Sequence, residues 1–305
     1  MSVATKAKSQ TPVIPALLAV YVFWGGTYLA MKIGIETIPP FILGGTRFLT
    51  AGLIVYIWGI CKGQKRPEKS HWLYASLLGI FMLFIAQGGI IWAQQFVPSG
   101  IAAIIFATVP LWMTLISWVF QGGHRPNKFV TFGLILGFFG IVLQVKGSLL
   151  GVVLNQGHWM GYIVLIVAAV SWAWGSIYSR VFRLPESPLM SIALQMLTGG
   201  TFFIVVSLLT GEWKQFQILS VSLASLLSLG YLILFGSIIG FSAYIWLLKV
   251  ADTTMVSTYA YVNPVVAVFL GYTLAGEPLT FNDAVVAVLI LTSVVIISTN
   301  YSRSI

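Results

Sequence analysis

Residues 15–34 read PALLAVYVFWGGTYLAMKIG, twenty positions that carry one charge, Lys32, near the end. A helix rises about 1.5 Å per residue, so a run of this length spans ~30 Å, the depth of a bilayer's hydrocarbon core. No water is present there to pair backbone N–H and C=O groups, so only a helix or a closed β-barrel crosses. Barrel strands alternate apolar and polar residues over about 10 positions. This stretch shows no such alternation and reads as a helix. Nine further runs of the same kind follow, at about 41–61, 72–93, 99–120, 129–146, 159–179, 188–209, 224–248, 254–274 and 283–300. The expected fold is an all-α integral membrane protein of ten transmembrane helices, with connections too short to hold a soluble domain.

Composition agrees. The chain is 58% hydrophobic and 8% charged, whereas soluble domains carry about a quarter charged residues. The net charge of +9 does not point to nucleic acid, because no basic patch is interleaved with aromatics. Lysine and arginine sit instead in the connections. Lys6, Lys8, Lys62, Lys65, Arg66, Lys69, Arg125, Lys128, Arg180, Arg183, Lys249 and Arg303 fall on one side of the membrane, and Lys32, Lys146 and Lys214 on the other. Cytoplasmic connections are the basic ones, so both termini are expected in the cytoplasm, with the protein in a bacterial inner membrane. The lone Cys61 excludes an internal disulfide. The first apolar run lacks a small-residue cleavage site and is expected to be a retained span.

The sequence also repeats itself. Trp24-Gly25 with Tyr28 returns as Trp174-Gly175 with Tyr178, an offset of 150. Pro40, Leu49, Thr50 and Gly52 match Pro188, Leu197, Thr198 and Gly200 at an offset of 148, and Trp92, Pro110 and Gly122 match Trp246, Pro264 and Gly276 at 154. The units are residues 11–147 and 157–302. Five spans per unit, an odd number, force the two into opposite orientations, the inverted repeat of many secondary transporters.

Several residues are candidates for a substrate cavity. Pro110 and Pro264 lie near the middle of their spans, where a proline frees the carbonyl four residues back, at Phe106 and Ala260. Broken helices at matched places point to a midplane site, although proline is also simply commoner in membrane helices. Trp24, Thr27, Tyr28 and Met31 share one helical stripe, and Ser171, Trp174 and Tyr178 form the corresponding one. Gln87, Ile91 and Gln94 make a face on the third span; Ser257, Tyr261 and Pro264 make one on the ninth, with Asn263 beside them. Amides do not face lipid unpaired, so these either line a cavity or bond neighbouring helices. Arg47 lies about 10 Å inside its span, where a charge is costly and usually functional. It either attracts a substrate anion, snorkels outward, pairs with Glu36 or bonds freed carbonyls. Its counterpart is Gln195. Gly133-x-x-x-Gly137 permits close helix approach, within the chain or to a second copy.

Taken together, Trp24-Gly25-Gly26-Thr27-Tyr28, Pro39-Pro40 with Arg47-Phe48, Pro98-Ser99-Gly100-Ile101-Ala102-Ala103, Tyr259-Ala260-Tyr261-Val262-Asn263-Pro264 and Gly276-Glu277 resemble the drug/metabolite transporter superfamily, in its EamA-domain branch of ten-span exporters. The resemblance covers about residues 12–300. It implies a central cavity lined by the first, third, fourth, sixth, eighth and ninth spans, alternating access, and efflux of amino acids, related metabolites or drugs. The family often carries an acidic residue after the fourth span, where this chain has Gly122-Gly123; only Glu277 keeps it in the second half.

The expected partners are a small-molecule substrate and the lipid bilayer, not nucleic acid, with the chain a monomer or homodimer. No metal and no cofactor is expected: His71, His124, His158 and Cys61 show no ligand spacing, and there is no P-loop. An intramembrane enzyme would need a nucleophile with a base, or a metal cluster, and the spans hold neither histidine nor paired carboxylates. The chain is not expected to be an enzyme. A membrane-embedded sensor or scaffold is the other alternative, and it would not require broken helices at matched places. With every acidic residue in a connection or at a span edge, no obligatory proton site inside the membrane is expected either.

Overall fold

The computed structural model describes residues 13–120, 126–152, 158–250 and 259–301. Among them every regular element is helical. Seven helices are long and apolar enough to cross a membrane: α1 (Val13–Gly34), α2 (Pro40–Cys61), α3 (Lys69–Ala93), α4 (Ser99–Phe120), α6 (Trp159–Tyr178), α7 (Pro188–Leu209) and α8 (Leu223–Leu247). Three further apolar helices are α5 (Lys128–Val152), α9 (Tyr259–Ala275) and α10 (Phe281–Tyr301). Large apolar side chains such as Leu53, Ile57, Phe132, Phe139, Phe269 and Val288 point outward, as expected where the solvent is lipid.

Glycines set how closely the helices approach. α2 runs along α7. A Cβ on Gly52 would lie 3.0 Å from the Leu197 nitrogen, and one on Gly200 would lie 2.8 Å from the Leu49 nitrogen. α5 runs along α10, where the Ser293 hydroxyl donates to the Gly133 carbonyl at 2.7 Å. The Gly133-x-x-x-Gly137 pair therefore faces α10 of the same chain.

α4 is interrupted at Ala107 and Thr108, giving Ser99–Phe106 and Val109–Phe120. Pro110 has no N–H to give the Phe106 carbonyl. The Thr108 hydroxyl eases the break, donating to the Ile105 carbonyl at 2.7 Å and accepting from Trp112 Nε1 at 3.2 Å. The matched break in α9 does not appear. The helix runs from Tyr259 to Ala275 with Pro264 inside it. The residue corresponding to Thr108 is Val262, which offers no hydroxyl. α1, α3 and α8 each contain a π-helical stretch, at Val20–Trp24, Gly79–Gln87 and Leu232–Ile239. Such turns leave carbonyls available to side chains and recur at functional sites.

One end of the bundle is stitched across its connections. Glu212 accepts from the N–H groups of Phe41 and Ile42 at 3.2 and 3.0 Å, capping α2. Glu277 accepts from the Ser99 and Gly100 N–H groups and the Ser99 hydroxyl at 2.8, 3.2 and 2.8 Å, capping α4. Lys32 Nζ donates to the Gln94 carbonyl, and Ser222 N–H to the Thr37 hydroxyl at 3.1 Å. At the other end the exposed Arg183 meets Glu68 at 3.4 Å.

Candidate functional site

Trp24 anchors the site. The π stretch of α8 presents the Gly236 carbonyl to Trp24 Nε1, 3.0 Å away. Glycine at 236 and at 240 leaves room for the ring, which a Cβ at either position would crowd or whose neighbours it would displace. The indole meets Tyr259 and Trp172 edge-on, with centroids 5.5 and 6.0 Å apart, and Phe241 at 5.2 Å. Trp172 in turn meets Phe106 at 5.7 Å. These rings and Tyr28 enclose a small cavity whose polar lining is Thr27, Arg47, Gln87 and Asn263, with Met31 beside them. α1, α2, α3, α4, α6, α8 and α9 all contribute. The free space holds about one or two water molecules, so the site is closed around its own side chains.

Arg47 comes from α2 and is 1% exposed. Its Nε donates to the Ser237 hydroxyl at 2.9 Å, its Nη1 points at Met31 Sδ at 3.7 Å, and its guanidinium lies over the Phe48 ring at 4.6 Å. It neither snorkels to the surface nor pairs with Glu36, which is exposed. Asn263 Oδ1 is buried without a hydrogen-bond partner. The Thr27 hydroxyl donates to the Trp24 carbonyl at 2.6 Å, a local bond that fixes its rotamer. Arg47 brings the lining's sole charge.

Of the residues singled out in the sequence, Trp24, Thr27, Tyr28, Arg47, Gln87 and Asn263 line this cavity. Gln94 is fully buried one layer away, donating from Nε2 to the Tyr28 carbonyl at 3.0 Å and bracing α1. Pro110 sits at the break of α4 and Pro264 is buried within α9; neither lines the cavity. The side chain of Tyr261, like Ser257, Gly122 and Gly123, lies outside the described residues.

Trp174 and Tyr178 lie elsewhere. They stack on each other at 4.4 Å and pack on Phe81 and Phe182, while Ser171 donates to the Phe81 carbonyl at 2.6 Å. Trp172 takes the cavity position instead. Two residues along a helix turn the side chain by about 200°, so Trp172 and Trp174 face nearly opposite ways. The signal was present: the offset of 148 that relates α2 to α7 carries Trp24 to Trp172, whereas the local Trp-Gly match carries it to Trp174. Tyr259, Phe241 and Phe106 lie in spans rich in other rings and apolar side chains, and nothing in the sequence set them apart from packing residues.

The comparisons with known proteins agree with this architecture. The chain is 37% identical over 288 residues to the uncharacterized inner membrane transporter YedA of Escherichia coli K12, covering 94% of this chain and 90% of that protein. It is 26% identical over 297 residues to the uncharacterized transporter YoaV of Bacillus subtilis, covering 95% and 98%. A protein of known crystal structure matches in fold with a TM-score of 0.65 at 21% identity, over 97% of this chain and all of that one. The sequence also matches the EamA-like transporter family twice, over residues 11–145 and 159–299. With membrane-length helices converging on a buried polar and aromatic cavity, the chain belongs to the EamA-like transporter family and is a membrane transporter.

Proposed function

We propose that the protein is an inner-membrane carrier that exports amino acids, related metabolites or drugs by alternating access through the cavity between Trp24 and Trp172. The observation that carries this reading is the cavity itself. Seven helices deliver aromatic, amide and guanidinium groups to one enclosed place, far more polar than helix packing in lipid requires. The stitched end and the tight cavity fit one closed state of a cycle whose other states open the site. Export is drawn from the family resemblance, and the inner membrane from the relative YedA, which is named an inner membrane transporter.

We read the ten helices as two inverted units, 11–147 and 157–302. Two features support this. The most extensive helix contacts map onto themselves when each helix is exchanged for the one five places on: α2 with α7, α5 with α10, α4 with α9, and α3–α6 with α8–α1. Gly52 against Leu197 and Gly200 against Leu49 are the same contact seen from either side. The basic connections favour both termini in the cytoplasm, which puts the stitched end outside.

The medium of cells overproducing the protein is expected to gain at least one small solute relative to cells overproducing a Trp172→Ala variant at equal membrane abundance. Identical media would tell against export through this cavity.

A further inference from the structure

We infer that the cavity takes monoanions: solutes with one carboxylate on an apolar, ring-bearing body, the carboxylate seated on Arg47 as the counter-charge that none of the described residues supplies. This rests on the carrier reading above and names its substrate class.

Arg47 carries an unbalanced charge. Arg47 is 1% exposed, and its two polar contacts are neutral: the Ser237 hydroxyl at 2.9 Å and the Met31 sulfur at 3.7 Å. A thioether is a weak acceptor, and a guanidinium has five N–H donors to place. Among the described residues the one ion pair joins Arg183 to Glu68, at the far end of the molecule from Arg47. A buried charge without a partner is costly inside a membrane and persists where function requires it. A carboxylate suits such a guanidinium, since it accepts two parallel N–H bonds from it.

The rest of the lining narrows the class. It holds one positive group and no acidic one. A cation would set like charges together, and a dianionic phosphate would leave one negative charge uncompensated. The walls are Trp24, Tyr28, Phe106, Trp172, Phe241 and Tyr259, which favour a flat apolar body. Asn263 Oδ1 has no partner and accepts one N–H or O–H from the bound solute. A hydroxy or amide N–H substituent near the carboxylate meets that need without adding charge.

The test uses the purified full chain in nanodiscs and three probes of one shape and different charge: 3-phenylpropanoate, 3-phenylpropanamide and 3-phenylpropylamine. Quenching of tryptophan emission reports occupancy beside Trp24 and Trp172. The anion is expected to bind at least ~tenfold more tightly than the amide, the scale of one charge-assisted pair, and the amine most weakly. In Arg47→Gln the anion's advantage falls to the level of the amide, and Arg47→Lys keeps part of it. The charge order is read on the wild-type protein, so it stands even where a variant fails to fold. An equal or reversed order, or no saturable response to any probe, overturns the inference. Counterflow in proteoliposomes separates the two readings. Flux of the amine or amide in preference to the anion sinks the substrate class and leaves the carrier. Tight Arg47-dependent anion binding without flux keeps the site and sinks the carrier.

Discussion

Gly236 ties three functional groups together. Its carbonyl accepts from Trp24 Nε1 at 3.0 Å, and a Cβ built on it would stand 2.8 Å from Thr27 Cγ2 and 3.1 Å from Arg47 Nη2. Alanine in place of glycine inside a helix ordinarily stabilises it by ~1 kcal/mol, so the clash and the propensity act in opposite directions. Gly236→Ala is expected to keep its thermal stability within ~1 kcal/mol and lose most of its transport, because Arg47 and Trp24 are displaced. Thr27→Ser deletes the methyl that the new Cβ meets, and the double variant is expected to regain transport. If the pair is as inactive as Gly236→Ala alone, the crowding lies elsewhere. Residues of this kind were only partly legible in the sequence. Trp24, Arg47 and Asn263 stood out because a polar or charged group in an apolar run needs a reason. Gly236 did not, since a small residue in a membrane helix is ordinary. Trp172 was hidden by its neighbour Trp174, which carried the more obvious Trp-Gly match.

At the scale of elements, helix positions followed from hydropathy, but interruptions did not. Pro110 marked the break in α4 correctly, whereas Pro264 sits inside a continuous α9, because a proline alone does not decide whether nearby groups accommodate the loss of one hydrogen bond. The π stretches of α1, α3 and α8 have no signature in hydropathy at all. The helix caps at the stitched end were equally silent, as they join residues far apart in sequence. Glu212 caps α2 from the connection after α7, and half-burial raises its carboxyl pKa while the Phe41 and Ile42 N–H groups pull it part of the way back. A folded pKa above the unfolded one means that protonation favours the folded state. This group's contribution is therefore present below the unfolded value and is lost as pH rises through the folded value. Thermal unfolding of the solubilised protein is expected to gain a small stabilisation from Glu212 on going from neutral pH toward the ordinary glutamate value of 4.5. Glu212→Gln removes that slope. An unchanged slope in the variant would place the titration on another group. Glu212→Ala, which strips the cap outright, is expected to cost about 0.5–1 kcal/mol, the lower part of the range for helix caps because the site is half exposed.

For the whole molecule, the charge of the cavity bears on how transport is coupled. Among the described residues no carboxylate or histidine lines the site. Glu36 is exposed, Glu277 is committed to capping α4, and Asp283 accepts from Thr280 within its own helix start. None of these stands where a proton could exchange with the substrate. Arg47 supplies a different constraint. A carrier loaded with a monoanion moves a neutral pair through its occluded state. The empty carrier must take an uncompensated guanidinium through the same state, and a buried unpaired charge costs several kcal/mol. Each ~1.4 kcal/mol added to a barrier slows it tenfold, so on the proposed carrier cycle the empty return is expected to be the slow step and exchange of one substrate for another to outrun net transport. Proteoliposomes loaded with a labelled monoanion are expected to release it at least ~tenfold faster when the same anion is present outside. A pH gradient alone is expected to drive no accumulation. Release that ignores external substrate would mean that Arg47 finds a counter-charge in the empty state. Accumulation driven by a pH gradient and abolished by Glu277→Gln would mean that this carboxylate leaves the α4 N-terminus during the cycle and carries the proton itself.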